Sequence, residues 1–191
     1  RLFVDYFKTA FNGSKLAFEE LEKTYDNFNS KNRQPIYITI LGVGMVAQNC
    51  AKSFEILGDE AFLDKNVPGV IMQLLPRTIT NNEAIMTTLL QQTDILVDAT
   101  RRMDTYKYVL KNESLAHLPK HSIILDITAD RYDSGQVKPI EGTVTGNLKS
   151  CVIYPDDERY EALPEGVSSV NRRITISCDA WPGTTPAESI K

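Results

Sequence analysis

Residues 36 to 57 read IYITILGVGMVAQNCAKSFEIL. An apolar run, Ile36 to Leu41, feeds a Gly42-Val43-Gly44 turn, and Val46, Cys50, Phe54 and Leu57 then recur at helical spacing, with Ala47 and Ala51 alongside. A buried strand, a tight glycine turn and a helix with one apolar face make the opening of a nucleotide phosphate site. The first glycine permits the turn, the second lets backbone approach a pyrophosphate, and Ala47 in the third slot keeps helix and strand close. The first N–H groups of the helix then face the anion. Val43, Met45 and Val46 flank that position and belong to the candidate cofactor site with the two glycines. The same glycines also suit a turn with no ligand, so the rest of the chain has to decide.

Outward from this segment, strands and helices alternate. A polar loop, residues 26 to 35, precedes the first strand. VIMQLL, residues 70 to 75, follows the Pro68-Gly69 break and stops at Pro76. Asn81 or Asn82 caps a helix running to Leu90, DILVDAT (94 to 100) is the next strand, and a helix is expected over Asp104 to Asn112. SIILDIT, residues 122 to 128, gives a fourth strand; Cys151 to Tyr154 and Ile174 to Cys178 are two short further ones. This order predicts an α/β fold of Rossmann type, doubly wound around a mainly parallel sheet with helices on both faces. The first 30 residues show helical periodicity through Tyr6, Phe7, Leu16, Ala17, Glu20 and Leu21. With Gly13 and a Ser14 cap between the two groups, they read as a helical hairpin or linker, and the dinucleotide-binding domain as residues 31 to 191.

Composition narrows the function classes. The 191 residues are 42% hydrophobic and 24% charged, with a formal net charge of −4, enough for one core and without the basic footprint of a nucleic-acid binder. The Arg101-Arg102 and Arg172-Arg173 pairs read as solvated surface. No apolar run approaches the roughly 20 residues of a membrane span, no secretory signal opens the chain, and three scattered cysteines (50, 151, 178) suit buried thiols in a reducing compartment. A cytoplasmic setting, with no membrane partner, is the expectation. Because Arg1 opens the chain, an excised piece of a longer protein is expected.

Ligands of an open parallel sheet collect beyond the carboxyl ends of its strands. Gly42 to Met45, Pro76 to Thr78, Ala99 to Arg102 and Asp126 to Asp130 occupy those places. NAD-binding chains carry an acid after the second strand for the ribose 2′-OH. Arg77 stands there instead, a side chain suited to a 2′-phosphate and hence to NADP. Surface pairing of Arg77, or loss of dinucleotide affinity, are the other readings. Asp130 suits an active-site acid or a turn cap. His117 and His121 have the spacing of a helical zinc pair, but Pro119 interrupts them and no HExxH glutamate is present, so no metal site is expected. Asp156, Asp157 and Glu158 read as a solvated turn. A glycine turn of this kind also serves S-adenosylmethionine, but that reading again expects an acid after the second strand.

Taken together, ILGVGMVAQNCAK, TDILVDAT, HSIILDITAD and the closing CDAWPGTTPAESIK resemble the C-terminal NAD(P)-binding domain of the alanine dehydrogenase and pyridine nucleotide transhydrogenase family. Saccharopine dehydrogenase and carboxyethylornithine synthase are similar too. The resemblance spans roughly residues 30 to 190. It implies that Gly42 to Val46 sit beneath the pyrophosphate of NAD or NADP, that Ala99, Thr100 and Arg101 run past the nicotinamide half, and that Asp130 is the catalytic acid near the cofactor. It implies further that Pro182 to Pro186 close the domain, that the first helical segment is a connector between lobes, and that a missing lobe supplies the residues for an amino-acid or keto-acid substrate. Relatives associate, so a homo-oligomer is expected. Hydride would pass between nicotinamide and an amino or imino acid, and the isolated chain would bind cofactor without turnover. Three features depart from the family: no acid closes the second strand, the second-to-third-strand region is short, and Ala180 replaces an asparagine. The alternative they leave open is a regulatory or structural domain that has lost the nucleotide.

Overall fold

The computed structural model describes residues 6–128, 132–178 and 181. Among the described residues six strands form one sheet in the order β2-β1-β3-β4-β6-β5, with β1 (Ile36–Leu41), β2 (Val70–Leu75), β3 (Ile95–Asp98), β4 (Ile123–Asp126), β5 (Val152–Ile153) and β6 (Ile174–Ser177). All neighbours are parallel except β5 against β6. Strand order reverses between β1 and β3, both hydrogen-bonded to each other but continued to opposite sides, and a crevice opens there beyond their carboxyl ends.

Two apolar layers cover the sheet, as helices on both faces of a parallel sheet require. On one face, Ile36, Ile38 and Ile40 of β1 and Ile95 and Val97 of β3 pack with Ala47, Cys50, Phe54 and Leu57 of α2 (Met45–Phe62) and with Ala17, Phe18 and Leu21 of α1 (Tyr6–Thr24). On the other, Leu41, Leu96 and Ile124 meet Met86 and Leu90 of α4 (Glu83–Leu90) and Leu115 and Leu118 around the 3₁₀ turn Asn112–His117. The alternation Ile-Leu-Val-Asp in β3 and Ile-Ile-Leu-Asp in β4 sorts itself by the two-residue period. The odd positions enter the first layer, and the even ones the second. α4 begins at Asn82, whose side chain accepts from the Ile85 N–H at 3.1 Å, and the four-residue α3 (Arg77–Thr80) follows Pro76 directly.

Three expectations are corrected. The N-terminal segment is one continuous helix rather than a hairpin, and Gly13 and Ser14 lie buried in its middle. Helical glycine costs about 1 kcal/mol against alanine. Here the missing Cβ lets α1 close on the sheet, since an added one would sit 2.6 Å from Ile127 Cδ1 and 3.4 Å from Leu125 Cδ1. No helix forms over Asp104 to Asn112. The Asp104 side chain takes the Tyr106 N–H in a local turn, and the N–H groups of Val109 and Leu110 both go to the Pro139 carbonyl. With the Asn112 N–H on the Glu141 carboxylate, the donors at the end of the segment are spent on Pro139 and Glu141, not on the preceding turn. The Arg172-Arg173 pair is not solvated: Arg173 is 2% exposed and donates to the carbonyls of Leu115, Leu118 and Pro119, which closes the end of the 3₁₀ turn.

Asp157 caps a short turn and bonds Arg159, which holds its carboxyl down at about 2. His121 sits at the amino ends of the strands, on Asp94 at 2.6 Å and stacked 4.2 Å from Tyr25. Cys50, Cys151 and Cys178 are thiols, not joined in a disulfide. Among the described residues no three His, Cys, Asp or Glu side chains gather as a metal site, and no helix is long and apolar enough to cross a membrane.

Candidate functional site

The crevice has two lobes. The first, about 570 Å³, lies over the ends of β1, β2 and β3; the second, about 840 Å³, lies over β3 and β4 and reaches α1. They share Gly44 and the segment from Ala99 to Arg102. Every sequence-predicted cofactor residue lines one lobe or both: Gly42, Val43 and Arg77 the first, Met45 and Val46 the second, and Gly44, Ala99, Thr100 and Arg101 both. Asp130, Ala180 and Pro182 to Pro186 lie outside the described residues.

The glycines divide the work of the turn. Gly42 has φ of +114°, and an added Cβ would stand 2.6 Å from the Ala99 carbonyl oxygen. It is the residue that lets β1 turn while pressed against the end of β3, with its N–H donated to the Leu75 carbonyl at 2.9 Å. Gly44 has an ordinary φ of −74° and is the N-cap of α2, with no side chain capping the helix. A Cβ there would meet nothing within 4 Å. The amino end of α2 thus opens on the crevice with its first N–H groups and the positive end of its dipole unclaimed by any capping side chain.

The first lobe is cationic: among the described residues, Arg77, Arg101, Arg102 and Lys107 line it against Asp104 alone. Lys107 stands 3.3 Å from Asp104. Arg102 is committed to the fold, against the expectation for the pair, donating to the carbonyls of Lys107 and Val137 with its guanidinium over the Tyr132 ring. Arg77 and Arg101 are exposed. No carboxylate stands at the end of β2.

The second lobe brings in residues that sequence reasoning missed, Tyr6, Thr9 and Ala10 of α1, Gln136 and Trp181, beside Thr128 from the expected segment after the fourth strand. Trp181 is fully buried and its indole N–H donates to the Asp126 carbonyl at 2.8 Å. Beneath the lobe, β3 and β4 end in one device. Asp98 Oδ1 accepts the Thr100 N–H at 3.1 Å and hydroxyl at 2.7 Å; Asp126 Oδ1 takes the same two groups of Thr128 at the same distances. The two aspartates are register partners. Lys138 Nζ stands 2.9 Å from Asp126 Oδ2, which also accepts the Ser177 hydroxyl at 2.9 Å. Burial first, then Asp126, pushes the Asp98 carboxyl up to about 7, against the pull of Thr100 and Lys138. The signal was present in the sequence as a repeated Asp-x-Thr, 98–100 and 126–128, at the ends of two strands.

No protein-family model and no curated protein matches the chain. Among solved structures it is similar to phosphoglycerate oxidoreductase from Vibrio cholerae, at 10% identity and TM-score 0.43 over 90% of this chain and 59% of that one. It is also similar to the pyruvate reductase of Chlamydomonas reinhardtii (14% identity, TM-score 0.38, 64% of this chain and 39% of that one). A third likeness is to a dipicolinate synthase chain from Bacillus halodurans (13% identity, TM-score 0.33, 62% and 39%). The chain thus spans 39 to 59% of the length of these three proteins. At such TM-scores the likenesses carry no argument, and the Rossmann-type fold stands on strand order, register and the Gly42 turn.

Proposed function

We propose that this chain is the NAD(P)-binding domain of an oxidoreductase that moves hydride between nicotinamide and an amino or imino acid, with NADP(H) preferred. The observation that carries the reading is the open amino end of α2 at Gly44, set between two lobes and beside a cationic wall. That arrangement fits a dinucleotide: helix N–H groups for the pyrophosphate, the first lobe for the adenosine half, the second for the nicotinamide half. Arg77 and Arg101 would hold phosphate, and the missing acid after β2 removes the usual grip on a free 2′-OH. The nicotinamide supplies the hydride chemistry, and the protein orients the ring and excludes water.

The amino-acid substrate rests on the resemblance and on the lining of the second lobe. Its described charged side chains are arginines alone, and neither histidine reaches it. Val43, Met45 and Met103 leave an apolar rim on the crevice, 50%, 65% and 87% exposed. The missing substrate domain, closing on this rim, would supply the proton-transfer groups. Titration with NADPH and NADH, read by calorimetry, tests the reading: NADPH should bind more tightly, Arg77→Ala should cost it about tenfold, and the chain alone should turn over no amino acid. Silence with both nucleotides would reject the reading in favour of a domain that has lost its ligand.

A further inference from the structure

The Asp98–Asp126 pair is more than a way of closing two loops. Two carboxylates, 1% and 5% exposed, stand side by side on adjacent strands, with the Lys138 ammonium on Asp126 at 2.9 Å. Burying a second anion next to the first costs stability, and neutral side chains would hold the same threonines at less cost. Among the described residues, the groups facing Asp98 are Asp126 from β4, Lys138 from the loop that follows, and its own Thr100. Its register partner on β1 is Leu41, which carries no charge. The excess negative charge therefore sits under the second lobe, one hydrogen bond behind two threonines that line it. The opposite sign belongs to the first lobe, to the α2 terminus and to the guanidiniums of Arg101 and Arg102, which line the second lobe as well.

We propose that the Asp98–Asp126 pair sets the redox preference of the crevice, holding an oxidised, positively charged nicotinamide more tightly than a reduced, neutral one. This rests on the dinucleotide reading above. Oxidised and reduced cofactor carry the same phosphates and the same adenosine, so repulsion of the phosphates by the pair is common to both and cancels in the ratio of their affinities. Only the ring charge differs, and the ring half belongs over the β4 side, away from the β2 end where the adenosine ribose is read. A buried anion at that range favours the cationic ring by Coulomb attraction. Because the Asp98 carboxyl is pushed up to about 7, the preference changes across neutral pH.

The test is the ratio of dissociation constants, NADPH over NADP+, measured by calorimetry from about pH 6 to about pH 8.5. In the wild-type chain the ratio should rise roughly fivefold, the order expected of one charge acting through a partly wet site. Asp98→Asn keeps an acceptor for Thr100 and should leave the ratio flat. Lys138→Gln should move the rise to higher pH. A flat ratio in the wild type, or an undiminished rise in Asp98→Asn, overturns the inference while leaving the dinucleotide reading intact; absence of binding by either nucleotide at every pH overturns both. Should Asp98→Asn fail to fold by circular dichroism, the wild-type profile and Lys138→Gln decide.

Discussion

At Gly42 a φ of +114° and a 2.6 Å approach to the Ala99 carbonyl would both oppose a side chain, whereas at Gly44 φ is −74° and the space above is open. A bare GxG match treats the two alike, yet they answer to different constraints. Gly42→Ala should destabilise the fold by about 1–3 kcal/mol, the cost of a strained backbone plus a close contact. Gly44→Ala should leave stability within about 0.5 kcal/mol and weaken NADPH binding about tenfold, because the methyl enters the space where the anion approaches. Urea denaturation and nucleotide titration of both variants measure the contrast. Equal losses of stability would refute it.

Among the elements, α1 is the one whose role the structure changed most. It was legible as helical but not as core: its buried face runs through Ala10, Gly13, Ala17 and Leu21 onto α2, β4 and Trp181. Leu21, fully buried, should cost about 2–5 kcal/mol as Leu21→Ala, with the residual cavity setting the value. Gly13→Val should cost about 1–3 kcal/mol by overpacking against Ile127. Thermal melting reads both, and a surface-like response at either position would mean that α1 does not pack on the sheet as described. The segment from Asp104 to Asn112 failed the opposite way. Its apolar spacing allowed a helix, but a long-range bridge to residue 140 took its donors, and no local pattern announces a partner so far along the chain.

For the whole molecule, the buried acid pair ties stability to pH. An ordinary aspartate titrates at ~3.9 when unfolded, and burial beside Asp126 pushes the folded Asp98 carboxyl up, to about 7. The folded state therefore binds the proton more tightly. Its contribution is complete below the unfolded value, falls as pH rises towards about 7, and is flat above. The slope is on the order of 1 kcal/mol per pH unit, summed with all other groups. The difference in unfolding free energy, wild type minus Asp98→Asn, should thus be smaller at about pH 8 than at about pH 5. Denaturant titrations of both proteins at the two pH values measure it, and a difference that grows with pH would show that Asp98 is not buried as an acid.

What the sequence by itself determined is the sheet and the near rim of the crevice. Apolar runs bounded by glycine, proline and asparagine are short-range patterns, so β1 to β4, the β5 and β6 candidates, the Asn82 cap and the residues after the first three strands could be read in line. The tertiary structure alone decided which of those residues share a space. It brought α1 into the second lobe, folded Arg102 and Arg173 onto backbone carbonyls, and set Asp98 beside Asp126. Burial and carboxylate pairing depend on strand register and on distances across the sheet. A sequence that lies along one line does not carry those distances until the strands are laid side by side.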